Sequence, residues 1–253
     1  MLSSFQKNFP AKARPYNDTG ETRVDYLLQA FITALKLIIS LDTDVIQCTM
    51  VSLKISCSAV LLATIVGIPL SFLIALNEFT GKRALITFFN TMMALPTVVV
   101  GLFVFSAISR QGPLGVFGLL FTPTAMLIGQ FILATPIIIA LSISAIRGVD
   151  PRIRVTALSL GARSHQVVMT LILEARFAMM AAIIAGFGRI IGEVGSAMML
   201  GGNIRGYTRS ITTAIALETS KGEFSLGLAL GIILLTVALS VNIVLRSLQQ
   251  QNT

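Results

Sequence analysis

Stretches long and apolar enough to cross a lipid bilayer recur along this chain, and a bilayer leaves few folds open to them. With no water to satisfy backbone N–H and C=O groups, only helices and closed barrels span hydrocarbon. One pattern runs from Val45 to Phe79 and holds the apolar run Ile55–Leu76, with Pro69 inside. At about 1.5 Å per residue it outruns a hydrocarbon core of about 30 Å, so its first turns, with Lys54, are expected to emerge. Further runs read as spans at 85–105, 122–146, 177–200 and 225–245. The 253 residues are 55% hydrophobic and 12% charged, with a mean hydropathy of +0.86, where a soluble domain carries about 25% charged residues. The chain therefore reads as an all-α integral membrane protein with five core transmembrane helices across 45–246.

The ends are less constrained. Residues 1–25 are polar, carry two prolines and contain no apolar core for a cleavable signal, so they read as a flexible tail. Segment 26–42 is apolar but interrupted by Gln29, Thr33, Lys36 and Ser40, a spacing that lines polar groups along one helical face and suits an amphipathic helix in the interface. A sixth span there would instead bring Lys7, Lys12, Arg14 and Arg23 inside, as the positive-inside rule prefers; both readings stay open. Residues 247–253 read as a short C-terminal tail.

Charge also fixes sidedness. Nineteen basic against eleven acidic residues give +8, yet no basic run with interleaved aromatics suggests nucleic acid. The basic groups concentrate instead in one loop, where Arg147, Arg152, Arg154, Arg163 and Arg176 face only Asp150 and Glu174. That loop, 147–175, is expected to be cytoplasmic, which puts Lys82, Arg83 and Arg246 inside and 201–224 outside. Within it Asp150-Pro151 reads as a helix start, Gly161 as a break, and the apolar residues as two short helices forming a knob suited to a groove on a soluble partner.

In its spacing, Thr156-Ala157, then Gly161-Ala162, then the apolar run 167–173 resembles the coupling loop of permease subunits of ATP-binding-cassette importers. Residues 112–126 (GPLGVFGLLFTPTAM), 192–203 (GEVGSAMMLGGN) and 208–224 (TRSITTAIALETSKGEF) look like the permeases of tungstate importers, close to the molybdate and sulfate types. The resemblance covers about 26–246. It implies a type I importer transmembrane domain in the inner (plasma) membrane of a prokaryote and a second copy of the chain. It also implies two ATPase subunits and an extracytoplasmic oxyanion-binding protein. By the same match, Ala157, Gly161 and Ala162 belong to the coupling helix, flanked by Arg147, Asp150 and Arg154. The chain has no Gly-x-x-x-x-Gly-Lys-Ser/Thr loop of its own, so ATP hydrolysis is assigned to a partner and the chain is not read as an enzyme.

Three other features are candidates for function. Arg189 and Glu193 stand i and i+4 inside the fourth run, where an ionised group is costly, by at least about 2.5 kcal/mol for arginine, and so must pair or meet water. They are pathway or gate candidates, with a packing salt bridge as the alternative. Ala181, Ala185, Gly188, Gly192 and Gly195 form a small-residue seam for close contact, either within the chain or with a second copy. Outside, Arg205, Arg209 and Lys221, with Asn203, Thr208, Ser210, Thr212, Thr213 and an expected helix start near Thr208, could attract an oxyanion or dock its binding protein. His165 stands alone and Cys48 and Cys57 form no CxxC pair, so no metal or cofactor is expected. An ion-coupled secondary transporter remains the alternative from another class, although it would need more acidic groups within spans than Glu193. An intramembrane enzyme lacks converging Asp, His or Cys groups.

Overall fold

The computed structural model describes residues 43–250 and scattered positions between 28 and 40. The tail 1–25 and most of 26–42 lie outside the described residues, and with them the choice between an interfacial helix and a sixth span. Every element among the described residues is helical. The first, α1, is Thr43–Leu76; its 34 residues give a length of about 51 Å, so it crosses the bilayer and projects beyond it. The 3₁₀ turn Gly115–Phe117 precedes α4, Pro123–Arg147, which begins with Thr122 accepting from the Ala125 amide and Pro123 in the first turn, where its missing N–H costs nothing. The last helix, α9, is Phe224–Gln250 and continues past the expected tail boundary at 247.

Two of the expected spans are broken. The run at 85–105 divides into α2, Lys82–Met92, and α3, Thr97–Ile108, bent by 99°. Pro96 accounts for the break, since it has no amide to donate and pushes its predecessor away from helical geometry. The run at 177–200 is displaced as well as broken. Its helix, α6, spans Ser164–Ile191, and after residues 192–194 a short α7 follows at Gly195–Gly201. The charges at Arg163, Glu174 and Arg176 made 164–176 read as loop, yet Val167, Leu171, Ala175 and Met179 keep one buried helical stripe through it. In consequence α5, Pro151–Ser159, is the only short helix between α4 and α6, and what read as a second short helix is the start of α6. Among the described residues four helices are long and apolar enough to span, and the bent pair makes five.

At the centre lies α4, which packs against α1, α2, α3, α6 and α7. Lipid is as apolar as leucine, so close van der Waals contact rather than water exclusion holds such helices together. Ile138 shows how: it sits between Gly67 of α1 and Gly186 of α6, where an added Cβ would lie 3.2 and 3.1 Å from its side chain. Ser56 donates to Gln130 Oε1 at 3.2 Å, adding a buried α1–α4 hydrogen bond.

Candidate functional site

The loop expected to be cytoplasmic is built around a helix cap. Asp150 Oδ1 accepts the Arg152 amide at 2.9 Å and starts α5 at Pro151. At the other end Gly161 takes φ +78°, the Gly161 amide donates to the Leu158 carbonyl, and the Ala162 amide reaches the Ala157 carbonyl, both at 3.0 Å. That is the Schellman arrangement, in which only glycine takes the left-handed position without strain. Ala157, Gly161 and Ala162 are thus the two ends and the pivot of one cap. Ala157 and Ala162 pack on Phe72, Ile146, Val167 and Leu171, while Val155, Leu158 and Leu160 point outward, Leu160 81% exposed. Arg147 closes α4, and Arg154 is exposed on α5.

At the far end of α6 the two breaks meet. A Cβ on Gly195 would fall 2.8 Å from Val98 and 3.5 Å from the Thr97 hydroxyl, so the first turns of α3 and α7 start side by side. Glu193 lies between α6 and α7, past the end of the helix that carries Arg189, and is buried. One carboxylate oxygen accepts the Ser196 amide at 3.0 Å, the other lies 3.5 Å from Arg189 Nη1, and its carbonyl accepts from the Thr212 hydroxyl at 2.8 Å. The Arg189 side chain stays 43% exposed. A buried carboxylate therefore fixes the break, while its partner reaches outward. Thr97, Gly195 and Thr212 were not among the sequence candidates for the pathway; Pro96 and the paired glycines 192 and 195 were their only signal.

The seam divides. Ala181, Ala185, Gly188 and Gly192 face out of the subunit, and a Cβ on Gly188 or Gly192 would meet nothing within 4 Å. Gly195 alone packs inside the chain, against α3.

At the start of α1, Arg205 binds Asp44 through two nitrogens, Nε to Oδ1 at 2.9 Å and Nη2 to Oδ2, tying it to the 202–210 turn. Lys221 pairs with Glu218 at 2.8 Å. Arg209 reaches only the Asn203 side chain and carbonyl, at 3.2 and 3.4 Å, and no carboxylate within ion-pair distance among the described residues. The expected donors beside them are not at the surface. Thr208, Ser210, Thr212 and Thr213 are buried: Thr208 donates to the Gly201 carbonyl, and Ser210 caps α8, Ile211–Ser220, through the Thr213 amide. The helix start lies at Ile211 rather than Thr208, and its first amide is already taken by Ser52 Oγ at 2.9 Å.

Residues 67–252 match the family described as binding-protein-dependent transport system inner membrane component. The chain belongs to that family. As such a component it is a multi-pass protein of the inner membrane and a transporter subunit. A probable anion ABC transporter permease of Haloferax volcanii is 42% identical over 79% of this chain and 88% of its own length. The tungstate uptake system permease TupB of Campylobacter jejuni is 41% identical over 90% and 95%. Relatives named for molybdenum and sulfate transport match at lower identity. In fold, the component resembles the crystal structure of an amino acid ABC transporter with histidines, at a TM-score of 0.65 and 16% identity over 87% of this chain and 98% of that one.

Proposed function

We propose that this chain is the permease of an ATP-driven importer of a tetrahedral oxyanion, tungstate foremost. It would work as two copies with two ATPase subunits and an extracytoplasmic binding protein. The observation that carries the substrate is the 41% identity, over nine tenths of the chain, to a permease named for tungstate uptake. The cap-stabilised α5 supports the coupling role: a rigid turn holding Val155, Leu158 and Leu160 clear of the subunit offers a soluble ATPase an apolar handle. Its movement would be passed through Ala157 and Ala162 to the ends of α1, α4 and α6.

The path would follow the outward face of α6. Small residues there leave room for an anion, and Arg189 supplies positive potential that Glu193 only partly offsets; the loose 3.5 Å contact lets the guanidinium turn toward a passing dianion. At the entrance Arg209 is the best placed of the three outer cations, because Arg205 and Lys221 are each neutralised by a carboxylate. Weak contact suits a transit site, where a tightly held ion would not move on.

Uptake into proteoliposomes holding permease, ATPase and binding protein tests this. Tungstate uptake is expected only with all three and ATP, and excess molybdate or sulfate should compete less well than unlabelled tungstate. Uptake by the permease alone on a proton or sodium gradient would overturn the assignment in favour of a secondary transporter.

A further inference from the structure

A cationic cleft at the cytoplasmic end has no part in the pathway above. Glu78, Phe79, Gly81, Lys82, Arg83 and Arg147 line it, where the link from α1 to α2 meets the last residue of α4. Lys82 is buried and already committed, donating to the Ala75 carbonyl at 3.0 Å and to Glu78 at 2.7 Å. Arg83 and Arg147 are exposed and have no hydrogen-bond or ion-pair partner among the described residues. With one carboxylate against three cations, the cleft keeps an excess of two positive charges. The same field holds the Glu78 carboxyl below the usual carboxylate range, first through the Lys82 hydrogen bond and charge, then through Arg147 and Arg83. At the rim α2 starts from Gly81 at φ +93° with no side-chain cap, and the amides of Arg83 and Ala84 have no acceptor among the described residues. They add positive potential on the same side.

We infer that this cleft binds the phosphate of an anionic phospholipid of the cytoplasmic leaflet between Arg83 and Arg147. Its level in the membrane argues for a lipid. The apolar face of α1 ends at Leu76 and that of α4 at Ile146, so the guanidiniums emerge where hydrocarbon gives way to headgroups. Phe79, half exposed on the same wall, offers an aromatic surface to the glycerol and upper acyl region. A cationic group near such a surface gains a factor of about five for an anionic lipid. Arg147 leads through three residues into α5, so an occupied cleft would tether the base of the coupling element to the bilayer. The inference does not depend on which ion the permease carries.

The test uses the full chain in vesicles and the absence of tryptophan from the sequence. Phe79→Trp places a single tryptophan, excited selectively at its red edge over the three tyrosines, on the wall of the cleft. Brominated phosphatidylglycerol is expected to quench it about fivefold more effectively, per lipid, than brominated phosphatidylcholine. Arg83→Gln with Arg147→Gln should abolish that preference, Arg83→Lys with Arg147→Lys should retain much of it, and Arg110→Gln outside should leave it intact. Equal quenching by the two lipids in the Phe79→Trp protein overturns the inference without requiring any arginine variant to fold, as does a preference that survives the double glutamine change. Millimolar tungstate or inorganic phosphate, at constant ionic strength, is expected not to displace the lipid; if it does, the cleft is a site for free oxyanions instead.

Discussion

Among the helices that turn a face out of the subunit, α1 and α6 present opposite chemistry. On α1 that face carries Leu61, Leu62, Ile65, Val66 and Leu73, large side chains that lipid solvates well. On α6 it carries Ala178, Ala181, Ala185 and Gly188, continued by Gly192 just past its end, with Arg189 at the outer end. Such a face gives lipid little to fill and an arginine no water, and neither is a stable exposure in hydrocarbon. The contrast separates a surface finished by the bilayer from one that still needs a partner or a hydrated gap. It also distinguishes two kinds of glycine. Gly67, Gly101, Gly129 and Gly186 admit neighbours within the chain, whereas Gly188 and Gly192 admit nothing in it.

The largest effect should come from filling the α6 lane. Gly188→Leu or Ala185→Leu is expected to cut ATP-driven uptake about tenfold or more, the scale of overpacking a close contact by ~1–3 kcal/mol. Leu62→Ala on α1 should leave uptake within about twofold; similar losses at both faces would break the distinction. Next comes stability. A Cβ on Gly101 would lie 3.0 Å from the Ser196 backbone, so Gly101→Ala should cost about 1–3 kcal/mol, read as a lowered melting temperature in detergent. Gly188→Ala should not change it.

The smallest effect concerns the cytoplasmic end. The lowered Glu78 carboxyl favours the folded state above the ordinary carboxylate range, and that contribution disappears as pH falls through the lowered value. Glu78→Gln should therefore reduce the melting temperature slightly near neutrality and converge on the wild type as pH falls below the ordinary carboxylate range. A difference that grew on acidification would reverse the assigned sign.

Much of this architecture was legible from hydropathy. The spans of α1, α4 and α9 follow from apolar length, and the Asp150-Pro151 start and the Gly161 turn of α5 follow from capping chemistry. The breaks were not legible, because an average over some twenty residues passes through Pro96 and Gly192 without registering them. Nor was the start of α6, where Glu174 and Arg176 read as loop although the buried stripe continued; Arg176 lies over the Phe177 ring at 4.6 Å, which keeps its charge at the helix surface. The candidate site suffered from the same gap. Arg189 and Glu193 were visible as a pair, but that Glu193 lies beyond the helix end and fixes the break depends on tertiary contacts with Ser196 and Thr212. The outer threonines read as anion donors because composition does not reveal that hydroxyls are consumed inside caps.

The claim that the α6 face borders a hydrated gap while the α1 face meets lipid can be measured directly. Cys57 already lies exposed on α1 and Cys48 is buried, so Cys48→Ser leaves a native reporter of the lipid face, and Gly188→Cys in a background lacking both cysteines reports the lane. In the assembled importer a water-soluble, membrane-impermeant thiol reagent should modify the thiol introduced by Gly188→Cys at least about tenfold faster than Cys57, the difference that ~1.4 kcal/mol of accessibility provides. Equal rates, or faster reaction at Cys57, would contradict the account.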